Sequence, residues 1–173
     1  MTASEDFPFR QWADIKRTDR FISVEPLSGY RLIRPEDESP VIYLAPDANN
    51  EELGKALLES LNRSRFIHPH DDPSFTESAR YADAYRKSEK DFMRRYGYKT
   101  KRDAFKTMDW CQVKRRDGKI AIELFMRDKP GTWKGLPSEP DIVMPATTDA
   151  VVAGAALRRA LDLGKAASEA EGR

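Results

Sequence analysis

His68 and His70 stand one residue apart, with Asp71 and Asp72 directly behind them. The string H-x-H-x-D opens a binuclear hydrolase metal motif. Such a centre needs several further ligands, commonly histidines, to hold its ions and still leave an open position. The chain has only these two histidines, and Pro73 stands where that motif continues with a third. The residues therefore point to a proline-kinked acidic loop, and no metal site is expected. Cys111 is the single thiol. A nucleophilic cysteine needs a base beside it. Cys111 instead sits in an alternating apolar stretch next to Trp110, the setting of a packed core thiol. Gly131 and Gly135 lie in a Pro-Trp context, without the Lys-Ser/Thr that completes a phosphate loop. No G-x-S-x-G string occurs. These absences predict a non-enzymatic protein with no cofactor.

The elements that must position the remaining residues follow from spacing. Phe21–Leu27 and Tyr30–Ile33 flank a Ser-Gly pair and predict a hairpin. Val41–Leu44 is a short apolar run between prolines, consistent with a buried strand. Asn49 with Glu52 three places on predicts a capping box, and Leu53, Ala56, Leu57 and Leu61 give the following helix one apolar stripe. Ser64–Pro73 reads as a loop. Ser74-Phe75-Thr76-Glu77 predicts a second capping box, opening the longest helix, which Gly97 ends. Thr100 with Asp103 starts a shorter one. Asp109–Lys114 alternates, with Trp110 and Gln112 on one face and Cys111 and Val113 on the other. Asp117-Gly118 signals a type I′ turn into the strand Lys119–Met126. Residues 129–140 read as a loop and Asp141–Met144 as a strand. The last helix is expected over Thr147–Leu163, with Gly164 as its stop. No internal repeat is evident.

Strands thus cluster in two hairpin groups with helices between them. The expected fold class is α+β, an antiparallel-rich mixed sheet packed with about four helices; the alternative is α/β. Residues 1–20 read as an N-terminal extension, 21–164 as one domain and 165–173 as a flexible tail.

Composition is compatible with that. The chain has 173 residues, 30 basic against 29 acidic, and a hydrophobic content of 39%. No stretch approaches the roughly 18 consecutive apolar residues that cross a bilayer, and the N-terminus has no secretory pattern. A lone cysteine favours a reducing compartment. The expected setting is the cytoplasm, away from membranes. Charge is uneven: residues 1–73 carry 9 basic and 14 acidic side chains, residues 74–116 carry 13 and 6. The segment 87–116 interleaves Lys and Arg with aromatics, and a nucleic-acid surface is one reading of it. The other is a helix that uses Tyr85, Phe92 and Tyr96 for its core face.

Arg95-Tyr96-Gly97-Tyr98-Lys99-Thr100-Lys101, followed by Phe105-Lys106, Met108 and a cysteine-bearing strand, resembles the bacterial contact-dependent growth inhibition (CDI) immunity proteins of the CdiI type. Leu53–Ile67, the Asp117-Gly118 hairpin, the Gly131–Gly135 loop around Trp133 and the close at Ile142–Ala146 are similar in the same order. The resemblance runs from about Phe21 to Leu163. It implies a cytoplasmic, non-catalytic antidote that binds the C-terminal toxin domain of a CdiA-type protein and blocks its active site. Some relatives face ribonuclease-type toxins, so a nuclease is the expected partner. A nuclease must attract phosphates, and its antidote is expected to offer carboxylates. The candidates are Glu36, Asp37 and Glu38 in one turn and Asp71 and Asp72 in the histidine loop. Trp133 is the candidate aromatic anchor, or else folds back onto the core. The oligomeric state is not legible.

Overall fold

The computed structural model describes residues 8–172. Eight strands form one sheet in the order β3-β2-β1-β5-β6-β7, with β4 beside β2 and β8 beside β6. In chain order these are β1 (Gln11–Arg17), β2 (Ile22–Gly29), β3 (Ile33–Pro35), β4 (Ile42–Leu44), β5 (Asp109–Arg116), β6 (Lys119–Lys129), β7 (Thr132–Gly135) and β8 (Ile142–Pro145). The helices are α1 (Asn50–Arg63), α2 (Ser78–Tyr96), α3 (Lys101–Phe105) and α4 (Ala150–Glu171). Every pairing of these strands is antiparallel. The fold is α+β, as expected, and the α/β alternative fails because no named strands pair in parallel.

One face of the sheet is dry. Ala13 and Ile15 of β1, Cys111 and Val113 of β5, and Ile120 and Ile122 of β6 point to it and are fully buried. They meet Leu53, Leu57 and Leu61 of α1 and Leu157 and Leu161 of α4 in one cluster. Period two from the strands and three-to-four from the helices converge on this layer. Each such leucine contributes about 1.5–3 kcal/mol by leaving water. A smaller cluster of Phe21, Phe92, Ala104, Phe105 and Met108 fastens the end of α2 and all of α3 to the other face.

Several elements differ from expectation. Residues 11–17 are no extension: β1 pairs with both β2 and β5 at the centre of the sheet, because Ala13 and Ile15 alternate into the core. Residues 1–7 of the expected extension lie outside the described residues. The expected tail is helical to Glu171. Gly164 is no stop; it lies inside α4, where an added Cβ would stand 2.2 Å from the Phe125 carbonyl oxygen. A glycine needed for close approach had the look of a helix end. The Ser74 box does not form. Its hydroxyl donates to Asp72 and receives Arg80, so charged partners take it away from the helix, and α2 starts four residues later with no side-chain cap. The longest helix is α4, not α2. The expected loop 129–140 contains β7.

The sheet also contains a repeat that the sequence reading missed. Each half runs β-β-β-β-α, and α2 and α3 link them. The pairing registers correspond position for position. Ile15 pairs with Val24 as Val113 pairs with Ile122. Ile22 pairs with Leu44 as Ile120 pairs with Met144. Leu27 pairs with Pro35 as Phe125 pairs with Gly135. The inner edge strands of the halves, β1 and β5, pair with each other at the centre of the sheet, and the equivalent residues Asp14 and Gln112 stand directly opposite.

Candidate functional site

The face of the sheet away from α1 and α4 is hollowed into a groove of about 1010 Å3. Its floor comes from the two central strands. Alternation in β1 turns Trp12, Asp14 and Lys16 to this side, and alternation in β5 turns Trp110 and Gln112. Tyr81 and Tyr85 of α2 form one wall; Phe105 of α3 and Trp133 of β7 form another. Ring contacts knit the second wall. Trp133 lies 5.8 Å from Phe105 and 5.6 Å from Trp110, and Trp110 stacks on Phe125 at 4.0 Å. Lys101 on α3 binds Glu89 on α2 at 2.8 Å, tying the two helical segments together.

Asp14 and Lys16 put charge on the floor, and Glu25, which lines the neighbouring cavity rather than the groove, stands beside them. Asp14 and Glu25 are opposed across β1 and β2 and are 4% and 3% exposed. Lys16 lies 3.9 Å from Asp14 and 3.6 Å from Glu25. Burial alone would lower the lysine's pKa; the two carboxylates more than offset this and raise it. Burial pushes the Glu25 carboxyl above its usual range, with Lys16 and the Ser88 hydroxyl opposing. Ser88 of α2 donates to Glu25 at 2.8 Å and Gln112 donates to Asp14 at 3.2 Å.

The sequence-derived candidates fall in two places. Glu36 is not a surface carboxylate. Its side chain is fully buried and takes two bonds from Arg65, each 2.7 Å, one from the Ser28 hydroxyl and one from the Glu38 amide. Burial would raise its pKa, but these donors hold it down at about 2. Asp37 and Glu38 remain open to solvent near Arg65. Asp71 is exposed, and Asp72 is half-exposed against Arg80 at 3.3 Å. The fold draws the two acidic groups toward one aromatic ring. The buried Arg34 guanidinium lies 3.6 Å over Phe75 and donates to the Phe75 carbonyl, while Arg65 and Arg80 approach the same ring.

Trp133 lies apart from them, in the groove. It is half-buried, and its indole N–H donates to the Met108 carbonyl at 3.1 Å. It folds back and forms a wall rather than projecting as an anchor.

The remaining chemistry candidates have packed roles. His68 and His70 stack at 4.5 Å. Among the described residues, no three His, Cys, Asp or Glu side chains converge to hold a metal. Cys111 is fully buried, and burial pushes its thiol far above the ordinary range. Trp12 and Asp14 escaped the sequence reading, and Trp110 and Gln112 were placed on one strand face without being assigned to a site. The signal that would have found them is the repeat: Trp12-Ala13-Asp14-Ile15-Lys16-Arg17 against Trp110-Cys111-Gln112-Val113-Lys114-Arg115.

Fold and groove together define an α+β protein, one sheet face packed under α1 and α4 and the other partly covered by α2 and α3 and hollowed between them. Its relatives make the class specific. CDI immunity proteins, the CdiI family, match residues 11–164. The immunity protein CdiI-YPIII of Yersinia pseudotuberculosis serotype O:3 (strain YPIII) is 30% identical over 164 residues, covering 87% of this chain and 93% of the relative. Among solved structures, a Neisseria meningitidis protein of unknown function superposes with a TM-score of 0.82 at 25% identity, over 94% of this chain and 99% of that one. A CdiA-CT/CdiI toxin and immunity complex from Yersinia pseudotuberculosis matches with a TM-score of 0.81 at 30% identity, over 89% and 97%. The chain belongs to the CDI immunity protein family.

Proposed function

We propose that this chain binds and neutralises the C-terminal toxin domain of a cognate CdiA-type protein in the bacterial cytoplasm, acting as an inhibitor without catalysis or cofactor. The observation that carries this reading is the likeness, over most of both chains, to a relative solved with its toxin. The toxin is a nuclease in this reading, and the antidote covers its active site. Exposed carboxylates at Asp37, Glu38 and Asp71 support a basic partner, since opposite charge steers encounter. The groove supplies the concave, aromatic surface on which a tight interface concentrates its binding energy. Among the described residues, no helix is long and apolar enough to cross a membrane.

Nucleic-acid binding by residues 87–116 has less support. Phe92 and Phe105 are buried, and Tyr96 and Tyr98 pack against the same small cluster. Their faces are spent on packing, so stacking on bases would cost part of the fold.

The test is coexpression with the C-terminal toxin domain encoded beside this gene. Growth should be restored against that domain and not against unrelated toxins. Loss of viability despite soluble immunity protein would reject the reading.

A further inference from the structure

The repeat covers one face of the sheet in its first half and leaves the same face open in its second. In the first half, Lys16, Ser23 and Tyr43 form a row across β1, β2 and β4, and Asp14 and Glu25 form the next. α2 lies on these rows. Ser88 donates to Glu25 at 2.8 Å, the Tyr43 hydroxyl donates to Asp91 at 2.8 Å, and the Arg95 guanidinium sits 4.4 Å over the Tyr43 ring. Ser23 and Glu25 are each 3% exposed.

The second half repeats the rows. Lys114, Ala121 and Val143 lie across β5, β6 and β8, and Gln112 and Glu123 stand beside them. Lys114 and Glu123 keep the residue types of Lys16 and Glu25. Among the described residues no helix takes the place of α2 there: α1 and α4 pack on the opposite face, and α2 and α3 gather around Phe21 and Phe105. Glu123 is exposed, and Val143 is 56% exposed.

An antiparallel sheet can leave one face to water, and that face is then polar. An edge strand is guarded by charge. Ala121 and Val143 break both rules, paired side by side on the open face, with Val143 on a strand that pairs only with β6. The differences from the first half run one way. Ser23 corresponds to Ala121 and Tyr43 to Val143, and both changes remove a hydroxyl. The seat therefore takes apolar contact where Tyr43 holds Asp91, while Glu123 still accepts a donor where Ser88 stands. Lys114 and Glu123 balance in charge, so shape and apolar contact select the occupant. Gln112, opposite Glu123, also lines the groove, so the seat continues into it.

We propose that an α-helix of the toxin domain docks across Ala121, Glu123 and Val143, in the place that α2 holds in the first half. It sets an aliphatic residue on Ala121 and Val143 and a hydroxyl or amide donor on Glu123. This rests on the toxin-binding reading above and names the element that makes the contact.

The test uses the full chain and the inactivated toxin domain at saturating concentration. Val143→Cys and Ala121→Cys each supply one reactive thiol, because Cys111 is buried, and each thiol carries a benzophenone. Illumination of the two complexes should join both positions to one toxin segment, at residues about three to four apart. Val143→Arg and Ala121→Arg should each weaken toxin binding at least about tenfold, whereas Val143→Ile should leave it unchanged. Cross-links at alternate residues of an extended toxin segment, cross-links between two immunity chains, or none to toxin from a complex that forms would each overturn the proposal. Wild-type affinity in folded Val143→Arg and Ala121→Arg would do the same, and all four results leave the antidote function standing. Failure of the wild-type chain to bind the toxin domain at all would instead remove the reading on which the proposal rests.

Discussion

Gly54 and Gly154 hold equivalent places in α1 and α4, and each presses against the backbone where the other helix begins. A Cβ on Gly54 would stand 1.6 Å from the Ala150 carbonyl oxygen; one on Gly154 would stand 1.7 Å from that of Asn50. The helices cross at these two glycines, and the repeat's halves interlock there.

Gly54→Ala and Gly154→Ala should each lose at least about 3 kcal/mol in chemical denaturation, because backbone must move to admit the methyl group. Gly135→Ala, which meets open space, should change stability by less than about 0.5 kcal/mol. The double variant should lose less than the summed singles, since one separation of the helices relieves both clashes. A Gly54 variant as stable as the Gly135 variant would contradict the close approach.

Glu36 ties β3 to the segment after α1 through Arg65. Its carboxyl pKa is lower folded than unfolded, at about 2. A depressed carboxyl contributes stability above its unfolded value and loses it as pH falls through its folded value. Wild type should therefore weaken as pH falls from the ordinary carboxylate range toward 2. Glu36→Gln should lose about 2–3 kcal/mol near neutrality and show a flatter acid limb. Identical acid limbs in the two proteins would remove this residue from the account.

Glu38→Lys and Asp71→Lys alter exposed groups and should leave stability within about 0.5 kcal/mol, whereas Asp37 pairs with the buried Arg34 at 3.4 Å and is left in place. With a basic toxin, the double variant should associate several-fold more slowly at low salt, with the difference shrinking as salt rises. An unchanged association rate would place the encounter surface elsewhere.

Cys111 has neither exposure nor thiolate character. Iodoacetamide at mildly alkaline pH should leave the native protein unlabelled and label it fully in denaturant. Rapid labelling of the native chain would show that the central strand opens.

The β5–β6 turn places Asp117 at φ 52° and Gly118 at φ 72°. Gly118→Val should cost at least about 1 kcal/mol, whereas Asp117→Asn should be tolerated, because asparagine enters this left-handed region readily. Equal melting temperatures for the two variants would be the contrary result.

The sequence alone determined what depends on neighbours along the chain. Asn49 with Glu52 forms the capping box, Thr100 caps α3, Gly97 ends α2, and alternation in β5 sorts Cys111 and Val113 from Trp110 and Gln112. The pattern of Arg95–Lys101 and its companions also pointed to the right family. Tertiary structure decided what depends on residues distant in the chain. Glu36 reads as a surface acid until Arg65 arrives from the far end of α1. Gly164 reads as a helix stop until the Phe125 carbonyl lies against it. Trp133 reads as a loop anchor until Phe105 and Trp110 close around it. The groove itself exists only because β1 and β5, almost a hundred residues apart, lie side by side. Local torsional and hydrogen-bond preferences are written into short stretches of sequence. Burial, charge pairing and concavity are set by which stretches the fold brings together.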